Sequence, residues 1–190
     1  MAYKTLSFKI TGVAPLLMHN GQLANPLNEF SKQMKKISSK RDKTDADFEE
    51  LARLEWYGSL YLSDGKPCLP GEILEAAFLT AAKKQKRGKQ AQAGIICPKS
   101  YPLVYDGKRK PEELWADPEY RWTVGARVQQ NRVMRTRPIF REWSCKIELQ
   151  YDDSLLNEEE VNHLVRVAGE IVGVGDWRPK FGRFKVETSK

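Results

Sequence analysis

Cysteine and histidine are scarce here, three and two in 190 residues. Cys68, Cys97 and Cys145 lie far apart with no CxxC pair, and His19 and His163 are isolated. No metal-ligand spacing exists, so neither a metal site nor a cofactor is expected. An odd, scattered set of thiols in a chain whose start lacks a secretory signal reads as reduced cysteine in the cytoplasm. No apolar run approaches the roughly 20 residues of a spanning helix, which argues against a membrane partner. Nucleotide motifs are missing as well. There is no Walker lysine motif. Gly173-Val174-Gly175 is followed by Arg178 where a dinucleotide fingerprint needs its third glycine, and this loop follows a helix instead of preceding one.

Acid is absent where base is densest. Residues 120–141 hold Arg121, Arg127, Arg132, Arg135, Arg137 and Arg141, with no Asp, Glu or Lys among them. Two lysine-rich blocks, 32–43 and 83–89, add to a net charge of +7, while acids gather at 45–55 and 152–160. Lysine blocks are common on solvated surfaces. Arginine without lysine is different, because guanidinium is the better phosphate fork and base stacker. Charge sorted in this way implies an anionic partner met by particular elements.

With 41% apolar and 30% charged residues, the chain has the composition of one globular domain over 1–190. Leu6, Phe8 and Ile10 alternate with polar neighbours and predict a half-buried strand. Residues 22–58 read as an insertion, basic first and then helical behind a Thr44/Asp47 capping box. Asp64-Gly65 marks a hairpin turn. Ile73, Leu74, Ala77, Phe78 and Ala81 give the next helix an apolar face. A strand interrupted by Pro98 and Pro102 follows. Residues 120–141 alternate as an arginine-rich β-hairpin with a polar tip at Gln129, Gln130 and Asn131. Trp143 to Tyr151 alternate most clearly of all, and Asn157 caps a helix with a clean buried stripe before a closing strand at 183–187. Reduced to its core the order is βαββαβ. The fold class is therefore α+β, a ferredoxin-like or RRM-like split βαβ with a helical insertion and a protruding hairpin thumb.

The loop 173–184 combines Gly173, Gly175 and Gly182 with Trp177, Arg178, Lys180 and Arg183. It reads either as a helix C-cap and turn or as a surface for phosphate and base. Single-stranded nucleic acid needs cations for phosphates and rings for bases. The hairpin arginines supply the first, and Trp122, Phe140 and Trp177 are candidates for the second, although core packing also explains Trp122. His19 is the one residue placed as a general base, with no visible partner in sequence.

Three segments carry a family resemblance. They are Ala14 to Gly21 after the first strand, Leu69-Pro70-Gly71-Glu72 at a helix start, and Lys180-Phe181-Gly182-Arg183-Phe184 before the last strand. Together they resemble the RAMP superfamily of CRISPR-associated RNA-binding proteins. A compact relative, phage- or plasmid-borne, would fit 190 residues, which is short for a backbone subunit. The resemblance implies that Gly173, Gly175 and Gly182 form the glycine loop and that 127–137 is the thumb. The loop lacks the second Gly-hydrophobic-Gly of the RNA-processing branch. The expected function is then non-catalytic binding of single-stranded RNA, or of DNA. The chain would oligomerise along its ligand or sit as a subunit in a ribonucleoprotein. Two alternatives stand beside it: a metal-independent endoribonuclease with His19 as base, and a basic protein that docks an acidic partner.

Overall fold

Tracing the chain through the computed structural model, which describes residues 3–108, 110–128 and 130–188, turns these patterns into elements. Strand β1 (Tyr3–Gly12) buries Phe8 and Ile10, and β2 (Leu16–Leu17) follows. A 3-10 turn leads to α1 (Glu29–Ser38) and α2 (Asp45–Ser59), the latter capped by the expected Thr44/Asp47 box. Strands β3 (Leu62–Ser63) and β4 (Lys66–Pro70) turn at Asp64 and Gly65, both at positive φ. Next come α3 (Gly71–Lys84), α4 (Gly88–Gly94), β5 (Ile95–Ile96) and β6 (Ser100–Val104). After α5 (Pro111–Ala116), β7 (Arg121–Val128) and β8 (Asn131–Phe140) form the hairpin; Gln129 of its tip lies outside the described residues. The chain closes with β9 (Ser144–Asp152), α6 (Glu158–Val167) and β10 (Phe184–Thr188).

The result is a mixed α+β fold with two antiparallel sheets. The larger runs β10-β1-β9-β6-β4-β3, with β5 added beside β9. Register pairs Leu6 with Leu149, Phe8 with Ile147 and Ile10 with Cys145, so apolar side chains from adjacent strands share one face. Leu74, Ala77 and Phe78 of α3 and Val161, Leu164 and Val165 of α6 join the same core. A slip of one residue would carry every one of these side chains to the opposite face, so burial pins the register. The opposite face carries Lys9, Lys146, Glu148 and Lys185, with ion pairs Lys9–Glu187 at 3.2 Å and Lys99–Glu148 at 2.6 Å. Tyr3, at the end of β1, is exposed on the same face.

The smaller sheet, β2-β8-β7, carries the arginine hairpin. Leu17, Ile139 and Phe181 form a separate small core beneath it, with Trp122 packed against them. Phe140 is not a stacking platform: it is fully buried, edge-on to Tyr105 at 4.8 Å. Residues 22–58 hold most of the 3-10 turn, all of α1 and nearly all of α2. Leu54 and Trp56 of α2 are buried, Trp56 within the main core. Trp56 donates its indole N–H to the Tyr120 carbonyl at 2.8 Å, which ties α2 to the root of the hairpin.

Among the described residues no helix is long and apolar enough to cross a membrane, and no group of three or more His, Cys, Asp and Glu could hold a metal ion. All three cysteines are buried free thiols. Burial pushes Cys97 and Cys145 up to about 12 and raises Cys68 as well.

Candidate nucleic-acid interface

Directly opposed residues of an antiparallel pair project to the same side, so register sorts the hairpin into two faces. Trp122 and Val124 share one with Arg137 and Arg135; Arg121, Thr123, Gly125 and Arg127 share the other with Thr136, Met134 and Arg132. Near the tip Arg127 stands directly across from Arg132, both exposed. Residues 120–141 contain no acid.

Toward the root the arginines are engaged. Glu55 of α2 is 5% exposed, and its Oε2 accepts the Thr136 backbone N–H at 2.8 Å. Strand β2 is too short to cover this part of β8, and the carboxylate takes the place of the missing strand partner. Its Oε1 accepts from Arg135 Nη1 at 3.1 Å and lies 3.9 Å from Arg137 Nη1. Arg137 Nε sits 2.8 Å from Asp176 Oδ2 without hydrogen-bond alignment, so this contact is an ion pair. Arg137 is only 8% exposed and so is a buried strut rather than a surface phosphate contact. Arg141 donates from Nε to Glu119 at 2.8 Å, and Arg121 lies 4.9 Å over the Trp115 ring. Of the six hairpin arginines, Arg127, Arg132 and Arg141 are exposed, Arg121 and Arg135 partly so, and Arg137 is buried.

His19 belongs to the buried cluster. Arg137 Nη1 donates to its Nδ1 at 2.9 Å, which leaves the ring proton on Nε2. The lone pair a general base would use is taken up by a guanidinium. Burial, reinforced by the Arg137 charge, holds the His19 pKa below its ordinary 6.5; Asp176 and Glu55 oppose this and Arg135 adds to it. A histidine whose folded pKa is lowered binds fewer protons folded than unfolded. Stability is then complete above about pH 6.5 and is lost as pH falls from there toward the folded pKa. Thermal melts between pH 7.5 and 5.5 should show this decline in the wild type, and His19→Asn, whose amide oxygen can accept the Arg137 bond, should flatten it. Identical pH profiles for the two proteins would contradict this account.

The loop after α6 is held from within. Gly173, Gly175 and Gly182 all take positive φ. Val174 N–H donates to the Gly182 carbonyl at 2.9 Å, while Gly182 and Asp176 donate to the Pro15 and Leu17 carbonyls at 2.8 Å. The glycines therefore serve close approach to protein backbone, and the loop's outer surface falls to its side chains. Trp177 is 38% exposed, with its ring edge-to-face against Trp122 at 4.8 Å, and Arg178 and Lys180 are exposed beside it. Arg183 is not with them; it borders a groove with Arg166 and Glu170 beside α6 and β10. Nothing in the local sequence marks Glu55 or Asp176 as partners of the hairpin. Glu55 ends an acidic run that resembles a solvated helix face, and only its burial against β8 sets it apart.

No family model matches the chain, and no curated protein does. Among solved structures, the crystal structure of Cmr6 from Pyrococcus furiosus is similar at 12% identity and a TM-score of 0.40, over 98% of this chain and 100% of that one.

Proposed function

We propose that the protein binds single-stranded nucleic acid, RNA in preference to DNA, without cleaving it. The observation that carries this reading is a hairpin with no acid of its own that turns Arg127 and Arg132 to solvent side by side, where one phosphate can accept from both. Arg178 and Lys180 supply further exposed cations, and Trp177 offers a ring for stacking. Arg137 and Asp176 brace the hairpin against the loop, so the two are presented together. The strand order β10-β1-β9-β6, with α3 and α6 packed against those strands, supports a ferredoxin-like core. On that core the hairpin reads as a thumb of the RAMP kind, in a subunit that repeats along its ligand. His19 favours binding over catalysis, because its basic nitrogen is occupied by Arg137.

Unstructured RNA measured across a salt series tests this. With about four phosphates neutralised on a single strand, log K should fall against log[salt] with a slope near −3. Arg127→Ala with Arg132→Ala should weaken binding and reduce the slope by roughly 1.4. Affinity that ignores both salt and these substitutions would sink the proposal, and capture of an acidic protein that RNA fails to displace would replace it.

A further inference from the structure

Between α2, α5 and the root of the hairpin lies a cavity of about 670 Å³. Its walls include Glu49 and Arg53 of α2, Trp115 of α5, and Arg121, Thr123 and Thr136 of the hairpin. The Arg121 guanidinium carbon lies 4.9 Å from the centre of the Trp115 ring. Arg53 is held in plane by two 2.7 Å bonds to Glu50, which leaves the remaining N–H groups of a five-donor guanidinium available. Thr123 and Thr136 share one hydrogen bond at 3.0 Å, so one of the two hydroxyl protons is left to donate. Glu49, exposed on the first half of α2, brings a carboxylate to the same space. The cavity thus sets donors and an acceptor around a slot with an aromatic ring in its wall.

We propose that this cavity receives a guanine base from the bound strand. The proposal rests on the nucleic-acid reading of the hairpin and adds a subsite to it. Two observations point to this occupant. The first is continuity: Arg121, Thr123 and Thr136 lie on the same hairpin face as Arg127 and Arg132. Between them stand Gly125, where an added Cβ would meet only Met134 and Arg132 near 4 Å, and Met134, 66% exposed. A strand whose phosphates rest on Arg127 and Arg132 has an unobstructed, partly apolar path to the cavity. The second is chemistry. Guanine has an acceptor edge, O6 and N7, that suits a guanidinium, and a donor edge, N1–H and the 2-amino group, that suits a carboxylate. Adenine lacks the O6 acceptor, and uracil and cytosine lack the purine N7. The volume admits a nucleotide unit, and the Arg121 guanidinium and the Trp115 ring, both in its wall, are groups a base can stack on.

The test uses the full chain, with guanosine, adenosine, cytidine and uridine monophosphates titrated separately by calorimetry. A 12-residue oligouridine is compared with the same oligomer carrying one guanosine. Guanosine monophosphate should bind about tenfold tighter than the other three, the range a good bidentate base contact supplies. Glu49→Gln should abolish that preference. Equal binding of all four nucleotides, binding of none, or a preference that survives Glu49→Gln overturns the inference. Arg127→Ala with Arg132→Ala reports separately on the broader reading: oligouridine affinity unchanged by that pair would remove strand binding by the hairpin. A guanine-indifferent oligomer that still needs both arginines would remove the subsite alone.

Discussion

Replacing Glu55 by alanine should lower the melting temperature by about 6–12 °C, a loss of about 3 kcal/mol in a chain of this size. The side chain is 7% exposed and accepts from a backbone N–H of β8 while facing two guanidinium groups. Its removal leaves the Thr136 N–H without an acceptor and deprives Arg137, itself buried, of one of two carboxylates. Breaking a buried ion pair by removing one partner costs about 3–5 kcal/mol. The lower end applies because Arg137 keeps Asp176 and because Arg135, 34% exposed, retains water. Glu55→Gln divides the effect, since its amide oxygen still accepts the Thr136 N–H while the charge is gone. It should therefore fall between wild type and Glu55→Ala. Melting temperatures of the three proteins at pH 7 decide the matter, and an unchanged Glu55→Ala would show that the cluster contributes nothing net. If the hairpin binds RNA as proposed, affinity should fall with stability in both variants, because the same carboxylate sets the position of the hairpin relative to α2.

Gly182→Ala should be at least as damaging, with an expected loss of about 2–5 kcal/mol and a matching drop in urea midpoint. At φ +73 an L-residue with a side chain costs about 1–2 kcal/mol. A Cβ there would also overlap the Val174 carbonyl oxygen, and overpacking typically adds about 1–3 kcal/mol. The backbone cannot retreat cheaply. The N–H of Gly182 is committed to Pro15 and its carbonyl to Val174, so a shift breaks one bond or the other. Gly21→Ala is the control, because nothing lies within 4 Å of an added Cβ there; it should stay within about 0.5 kcal/mol of wild type. Equal midpoints for Gly182→Ala and wild type would mean that the loop is not held as described. The distinction bears on function, since a loop glycine kept for a ligand would tolerate alanine in the free protein.

The elements themselves were largely legible in the residues. Alternation in β1 and β9, the capping boxes at Thr44 and Asn157, the Asp64-Gly65 turn and the apolar stripes of α3 and α6 each depend on neighbours a few residues apart. Local periodicity carries that information directly. The helix α1 is not legible from pattern, because its polar, lysine-rich surface hides a narrow seam, Phe30, Met34 and Ile37, that is only partly buried. The small helix α4, with glycine at both ends, offered no amphipathic pattern.

The candidate interface divides along the same line. That residues 120–141 form a hairpin rich in arginine and free of acid follows from their order alone. Composition likewise removes zinc-type ligand spacing and the nucleotide fingerprints from consideration. Which arginines face solvent does not follow, because it depends on partners far away in the chain: Glu55 lies 82 positions before Arg137 and Asp176 lies 39 after it. The loop at 173–184 shows the difference most sharply. Its glycines mark positive φ in any reading, but only the packing of that loop against Pro15 and Leu17 assigns them to protein rather than ligand. Short-range periodicity and charge settle what the segments are. Long-range burial, where an unpaired charge or a misplaced Cβ is costly, settles which of their side chains remain available to bind.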